Sequence, residues 1–460
     1  MLAMMNVAAI GSVKNWPVMA ESGFCALFLI LLATLLFFIP SALVSAELAT
    51  GWPHVGGVYI WVKEAMGHRA GFLSVWLLWI QTVVWYPTAL SFIAATFAYV
   101  FHPDLALHKW YLLGVMISIF WLLTWVNLKG IRIAGWISVL GVLAGNFLPA
   151  ILLIGVGSYY LLSSSSPFLF SSLSLNSLWP SLDAGSLVVF TATVLSLCGI
   201  ELSAVHAGDV ENPKRNFPKA IALSIALILV TSLLGVLMIV ASVDNKELHL
   251  ASGTMQAISA LFSTYHLSAL VPFFGILVVI GALASLSTWI VGPSRGLLAA
   301  AQGGDLPAMF RKINKRGMPS SLLIAQASLM TLFSLCFVLM PNIDSAYWML
   351  TVIVAQAYLL MYVLMFIAAL ILRYKKPQVE RSFLVPGGKM GLWITCSIGA
   401  LTSIFAIVLS FLPPDQVDKE YHSTYISLLL ISLLFICSIP FVLYHRGTKK
   451  KLKKSYEKIS

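Results

Sequence analysis

Charged side chains are scarce in this sequence: Asp, Glu, Lys and Arg make up 10% of its 460 residues, against roughly 25% in a soluble domain. With 60% hydrophobic residues and a mean hydropathy of +0.93, there is too little polar surface to coat a water-facing globule. A string of soluble domains is excluded. Cysteine is scarce too. Cys25, Cys198, Cys336, Cys396 and Cys437 fall in apolar stretches at no metal-ligand spacing, so they read as small buried hydrophobes and no metal site is expected. The first twenty residues lack the basic start of a cleaved signal peptide and carry Lys14 and Pro17 late, which marks a retained span. Also missing are the paired carboxylates of a hydrolase, a nucleophilic triad and a phosphate-binding Gly loop. An enzyme has no residues to stand on.

What is present is a series of long apolar runs. Charge-poor, helix-compatible stretches lie at about 3 to 20, 23 to 46, 71 to 100, 110 to 128, 133 to 162, 186 to 207, 219 to 242, 268 to 297, 319 to 340, 347 to 373, 390 to 412 and 423 to 444. A membrane-crossing helix needs about 20 apolar residues, so these predict twelve spans in an all-α integral membrane protein. The third, fifth and eighth approach 30 residues and are expected to tilt or overhang. The first and sixth spans, five apart, are both interrupted: Asn6, Gly11, Lys14 and Pro17 break one, Gly199 and Glu201 the other. Paired interruptions of this kind suggest an inverted repeat with a site at the midplane.

Basic residues give the orientation. With a cytoplasmic N-terminus, 24 of the 28 Lys and Arg fall on the cytoplasmic side and only Lys109, Lys246 and Lys419 on the other, Lys14 lying inside the first span. That asymmetry predicts both termini in the cytoplasm. It also accounts for the net charge of +11 without a nucleic-acid partner, because the cations line one membrane face. The basic tail 446–460 is placed to hold anionic headgroups. The loop 163–181, rich in Ser, Leu and Phe, is expected to be a surface loop on the opposite side.

Only Lys14, Glu47 and Glu201 are clearly ionisable within membrane depth, and each would cost roughly 2.5 to 3.5 kcal/mol unpaired at the centre. Glu47 precedes the Gly51, Trp52, Pro53, Gly56, Gly57 turn, so its first expectation is to reach the headgroups. Glu201 has a stronger claim. It follows Cys198, Gly199 and Ile200 in an otherwise uncharged run, where glycine permits unwinding that frees main-chain groups for a substrate's amine and carboxylate. A carboxylate there is also a candidate proton carrier, against the alternative of a structural bond to a neighbouring helix. Lys14 is open between snorkelling to the outer interface and facing a central cavity, where it would attract an acidic group or pair with Glu201. Trp289, Tyr358 and Tyr362 are aromatic candidates in the eighth and tenth spans.

The run Ala46-Glu47-Leu48-Ala49 with Pro53, Gly56, Gly57 and Tyr59, and Gly199-Ile200-Glu201 followed by Glu211-Asn212-Pro213-Lys214-Arg215 and Pro218, resemble the amino acid-polyamine-organocation (APC) transporter superfamily. Trp289-Ile290-Val291-Gly292-Pro293-Ser294-Arg295-Gly296, Val385-Pro386-Gly387-Gly388-Lys389 and Ser410-Phe411-Leu412-Pro413-Pro414-Asp415 are similar to its glutamate/GABA antiporter branch. The resemblance covers nearly the whole chain. It implies twelve transmembrane helices, the first ten as two inverted five-helix repeats with unwound helices 1 and 6. It also implies exchange of an external amino acid for its internal decarboxylation product without a cofactor. Glu201 resembles the family's acid in the unwound sixth span, Trp289 its pathway tryptophan and Tyr362 its tyrosine on span 10. Two positions depart: Lys14 stands where that branch has a tyrosine, and Ser285 where it has an acid four residues before the tryptophan. A pathway that gains a cation and loses an anion favours substrates with a free carboxylate. The inner half of the first span is short here, and no counterpart of the branch's C-terminal plug follows Ser460, so gating by such a plug is not expected.

The sequence therefore predicts one transporter domain over 1–445, with repeat one at about 1–162, repeat two at about 184–375, extra helices at about 390–444 and the tail beyond. The expected activity is exchange of a glutamate-like amino acid for an internal amino acid or GABA-like product in the inner membrane. A proton-coupled symporter of the same fold is the alternative. Substrate-binding or pathway residues are expected at Ala9, Ile10, Gly11, Lys14, Cys198, Gly199, Ile200, Glu201, Ser285, Trp289, Tyr358 and Tyr362. The expected partners are a small amino acid and the lipid bilayer.

Overall fold

Apolar runs that face lipid have no water to satisfy their main chain and must close their hydrogen bonds internally. In the computed structural model of the chain the long apolar runs among the described residues are helical, and no strand occurs there. The structure describes all residues except 1–5, 8–9, 54–55, 131–142, 164–174, 181–183, 203–212, 415–416, 418–419, 421 and 457–460. Ala9, the Glu211-Asn212 part of its motif, Asp415, the start of the expected fifth span and much of the 163–181 loop lie outside the described residues.

Eleven helices among the described residues are long and apolar enough to cross a membrane: α1 Cys25–Gly51, α2 His68–Phe101, α3 Lys109–Leu128, α4 Gly145–Ser163, α5 Gly185–Leu202, α6 Pro218–Ser242, α7 Ser268–Gly303, α8 Ser320–Leu339, α9 Ile343–Lys375, α10 Gly388–Leu409 and α11 His422–His445. They coincide with the second to twelfth stretches expected from hydropathy. The first stretch differs because it is not one helix: Val13–Asn15 form a 3-10 turn, Trp16–Ala20 a short α-helix, and Gly11 and Ser12 lie between helical pieces.

Burial sorts the helices. The apolar windows of α9 and α2 are 83% and 78% buried against 17% for α11, so α2 and α9 form the centre and α11 a lipid-facing flank. α2 packs on α7 and α9, and α9 on α10. Small residues permit the closest crossings. A Cβ on Gly145 would lie 2.3 Å from the Cα of Gly281, and one on Gly235 2.5 Å from the Trp16 ring. Residues such as Leu35, Leu122, Ile151, Leu401, Leu434 and Phe435 are exposed and apolar, the surface that lipid covers.

Glu47 corrects the sequence expectation. Rather than reaching headgroups it is 1% exposed, because two guanidiniums come to it. Arg373 Nε donates to Oε1 at 2.7 Å and its Nη2 to Oε2, Arg381 Nε lies 3.7 Å from Oε1, and the Val385 N–H donates to Oε2 at 2.9 Å. Arg381 also donates to the carbonyls of Leu372 and Lys376 at 3.0 and 3.1 Å. The carboxylate thus fastens the end of α1 to the end of α9 and to the segment leading into α10.

Between α6 and α7 the helix Gly253–Thr264 is tied to the start of α9. Asn342 caps that start by accepting from Ser345 N–H at 2.6 Å, and Asp344 stands in the first turn, both favourable there. Asp344 accepts from Leu250 N–H at 2.9 Å and bonds the His249 Nδ1 at 2.9 Å. This bond raises the His249 pKa above its ordinary 6.5 despite the opposing effect of burial, with Asp344 and Glu247 adding charge attraction. A raised folded value means stability present below the unfolded pKa and lost as pH rises through the folded one. Because the His249 side chain is 37% exposed, screening limits the gain to less than about 1 kcal/mol. His249→Gln should therefore lower the thermal midpoint at pH 5 and leave it unchanged at pH 9. An equal deficit at both pH values in a detergent melting series would contradict this.

Candidate functional site

A helix broken inside the membrane leaves main-chain groups that need partners, and the N-terminal segment is broken at Gly11 and Ser12. Asn146, in the wide π-helical turn that opens α4, supplies both kinds of partner: its Nδ2 donates to Gly11 O at 2.9 Å and its Oδ1 accepts from Val13 N–H at 3.1 Å. Thr254 Oγ1, from the helix Gly253–Thr264, donates to Val13 O at 2.9 Å. The break is thus held open by two neighbouring elements.

The second break lies in α5, whose regular helix ends at Ser196. Gly199 has φ +121°, a conformation that side-chain-bearing residues rarely adopt. Its N–H donates to Tyr362 Oη at 2.8 Å, and a Cβ there would lie 3.5 Å from Ile10 Cγ1 and 3.9 Å from Tyr358 Oη. The two breaks therefore meet, with Gly199 between the N-terminal segment and α9.

Glu201 is buried two residues beyond. Tyr358 Oη donates to its Oε1 at 2.6 Å and Tyr362 Oη donates to its Oε2. Four residues apart on α9, the two tyrosines share a helix face, which is why both reach one carboxylate. Tyr362 relays the contact, accepting from Gly199 while donating to Glu201, and Phe37 of α1 packs on its ring edge-to-face at 5.0 Å.

Beside these turns lies a cavity whose lining includes Lys14, Trp85, Thr88, Ser285, Trp289 and Tyr358. Lys14 is 7% exposed. Its Nζ donates to Thr88 Oγ1 at 3.4 Å and lies 4.9 Å from the Trp85 ring centroid and 5.7 Å from that of Tyr347, within cation–π reach of both. The snorkelling arrangement is not adopted, and no ion pair joins Lys14 to Glu201. Trp289 is half-buried, its ring 5.5 Å from that of Trp85, and Tyr86 Oη donates to its carbonyl at 2.9 Å.

Of the expected residues, Lys14, Cys198, Ser285, Trp289 and Tyr358 line the cavity. Gly199 makes the turn against Ile10, and Gly11 sits at the first break. Ile200 is core, 1% exposed. Glu201 and Tyr362 stand behind Tyr358 rather than on the cavity wall. Sequence reasoning missed Asn146, Trp85, Thr88 and Tyr347. Pro87, a proline within the apolar run of α2, was the one signal beside Trp85 and Thr88, since a proline there marks a local adjustment of the helix.

Two broken membrane segments meeting at a largely apolar cavity with a few polar groups in its wall, inside a helical bundle, can bind a small solute. These features define a multi-pass membrane transporter. Residues 2–436 match the amino acid permease family, and the chain belongs to that family, within the APC superfamily. It is 40% identical over 443 residues to an uncharacterized transporter of Legionella pneumophila, covering 96% of this chain and 95% of that one. A glutamate/gamma-aminobutyrate antiporter of Lactococcus lactis is 33% identical over 448 residues, 95% of this chain and 88% of the relative. A probable agmatine/putrescine antiporter of the same species is 26% identical over 412 residues, 87% and 84% of the two chains.

Proposed function

We propose that this transporter is an amino acid antiporter, exchanging an external glutamate-like amino acid for an internal amino acid or its GABA-like decarboxylation product by alternating access. The observation that carries this reading is the meeting of the two broken segments, Gly11–Ser12 and Leu197–Gly199, beside a cavity with a cation in its wall. The breaks bring Ser12, Asn15, Ser196 and Cys198 to the cavity wall, where they meet the amine and carboxylate common to amino acids, and the Trp85–Trp289 pair excludes water beside them. The relative named a glutamate/gamma-aminobutyrate antiporter supports the substrate pair.

In this reading the N-terminal segment is the first of twelve spans, and the first ten form two inverted repeats over about 1–162 and 184–375 that rock around the site. α10 and α11 are the extra helices, and 446–460 is a basic tail. The chain sits in the bacterial inner membrane with both termini in the cytoplasm, supported by the bias of 24 basic residues against three. The residues expected to bind substrate or form its path are those named from the sequence, with Asn146, Trp85, Thr88 and Tyr347 added.

Uptake of labelled glutamate into proteoliposomes, with and without internal glutamate or GABA, tests the reading. Exchange requires uptake to depend on the internal amino acid. Uptake into empty vesicles driven by a pH gradient alone would replace antiport with proton symport.

A further inference from the structure

Lys14 is a buried lysine, and among the described residues no carboxylate pairs with it. Its ammonium carries three donors and no acceptor, and the one hydrogen bond it makes to those residues goes to a neutral hydroxyl, Thr88 Oγ1. That hydroxyl is itself fixed, since it donates to Trp85 O at 2.8 Å and so turns a lone pair toward the ammonium. The membrane-depth acids are engaged elsewhere: Glu201 by Tyr358 and Tyr362, Glu47 by Arg373 and Arg381. Aromatic faces soften the burial of a charge but do not neutralise it. The ligand of the cavity is left to bring the anion.

Which carboxylate it brings follows from the exchange. Lys14 and Cys198, which adjoins the Gly199 turn, line the same cavity, so the solute held there lies beside both. Decarboxylation of an acidic amino acid removes its α-carboxylate as CO₂ and leaves both the amine and the side-chain carboxylate in place. A cation that reads the side-chain carboxylate serves both members of such a pair; one that reads the α-carboxylate serves only the amino acid.

We infer that Lys14, with Thr88, is the specificity-determining anchor for the distal carboxylate that the two exchanged solutes share. This rests on the exchange reading and adds to it the class of solute: ω-carboxylates, with or without an α-carboxylate.

The test is the KM for glutamate, GABA and the neutral isostere glutamine in proteoliposomes of wild type, Lys14→Gln, Lys14→Met and Lys14→Arg, each checked for a wild-type thermal midpoint. Loss of a charge-assisted bond should raise the KM for glutamate and for GABA roughly 10- to 100-fold in the Gln and Met variants. The KM for glutamine should stay constant or fall, and Lys14→Arg should keep the preference for both acids. A loss confined to glutamate would assign Lys14 to the α-carboxylate and overturn the inference. So would an equal rise for glutamine, or an unchanged preference. Wild-type vesicles that exchange none of the three would instead overturn the exchange reading, a failure visible before any variant is made.

Discussion

Replacing Glu201 with Gln is expected to slow transport at least about tenfold while leaving the protein folded, because it removes one of the two tyrosine hydrogen bonds to the carboxyl group and weakens the other, such bonds to a charged group being worth roughly 1.5 to 3 kcal/mol each. The carboxylate does not line the cavity. It positions what does, accepting from Tyr358 on the wall and from Tyr362, which in turn accepts from the Gly199 N–H. An amide offers one acceptor and turns an NH2 toward the second tyrosine, whose own hydrogen then lacks a partner. The α5 turn should loosen from α9, so that the turnover rate falls more than the affinity does. Tyr362→Phe should reproduce the defect because it breaks the same relay, whereas Tyr358→Phe, which removes one bond, should be milder. Initial rates and KM measured in proteoliposomes decide this. A Glu201→Gln variant with wild-type turnover would show that the relay is packing alone.

The second large effect is on stability. Glu47→Gln leaves Arg373 and Arg381 together, with side chains 10% and 4% exposed and no carboxylate between them. Breaking a buried ion pair from one side costs about 3 to 5 kcal/mol, much of it the uncompensated charge that remains. The expected result is a clearly lower thermal midpoint in detergent and a smaller folded yield. Combining Glu47→Gln with Arg373→Gln should cost less than the sum of the single changes, since the two residues share one interaction. Additive losses, or an unchanged midpoint for Glu47→Gln, would mean the pair contributes nothing net.

Hydropathy made the spans legible because lipid leaves helices as the way to satisfy their main chain, and α1 to α11 fall where the apolar runs predict them. The breaks were legible for a related reason: Asn6, Gly11, Lys14 and Pro17 interrupt one apolar run, and Gly199 and Glu201 the other. What was not legible is what the breaks are tied to. Asn146 is one amide in a long apolar stretch, and its partnership with Gly11 and Val13 exists only through a contact between elements more than 130 residues apart. The direction of Lys14 was undecidable for the same reason, since its stem is long enough either to snorkel or to reach Thr88, and the presence of Thr88 and Trp85 beside it in the fold makes the choice. Glu47 lay near enough to a span end to suggest solvent, while the arginines that bury it were counted as cations setting orientation. Tyr358 and Tyr362 stood out in the sequence only as aromatic candidates in the tenth span; the carboxylate that they both reach is set by the fold.

The claim on which the rest depends is that the amino acid occupies the cavity beside the two breaks, and Ser285, half-buried in its wall, allows that to be measured. In a transport-competent variant with its five cysteines replaced, a single Ser285→Cys substitution would be converted by methyl methanethiosulfonate to its methyl disulfide, with release of methanesulfinate, in proteoliposomes. The account predicts that labelling stops transport, and that glutamate and GABA each slow labelling with half-effects near their own KM. A labelling rate indifferent to saturating glutamate and GABA, in vesicles that still exchange them, would contradict it.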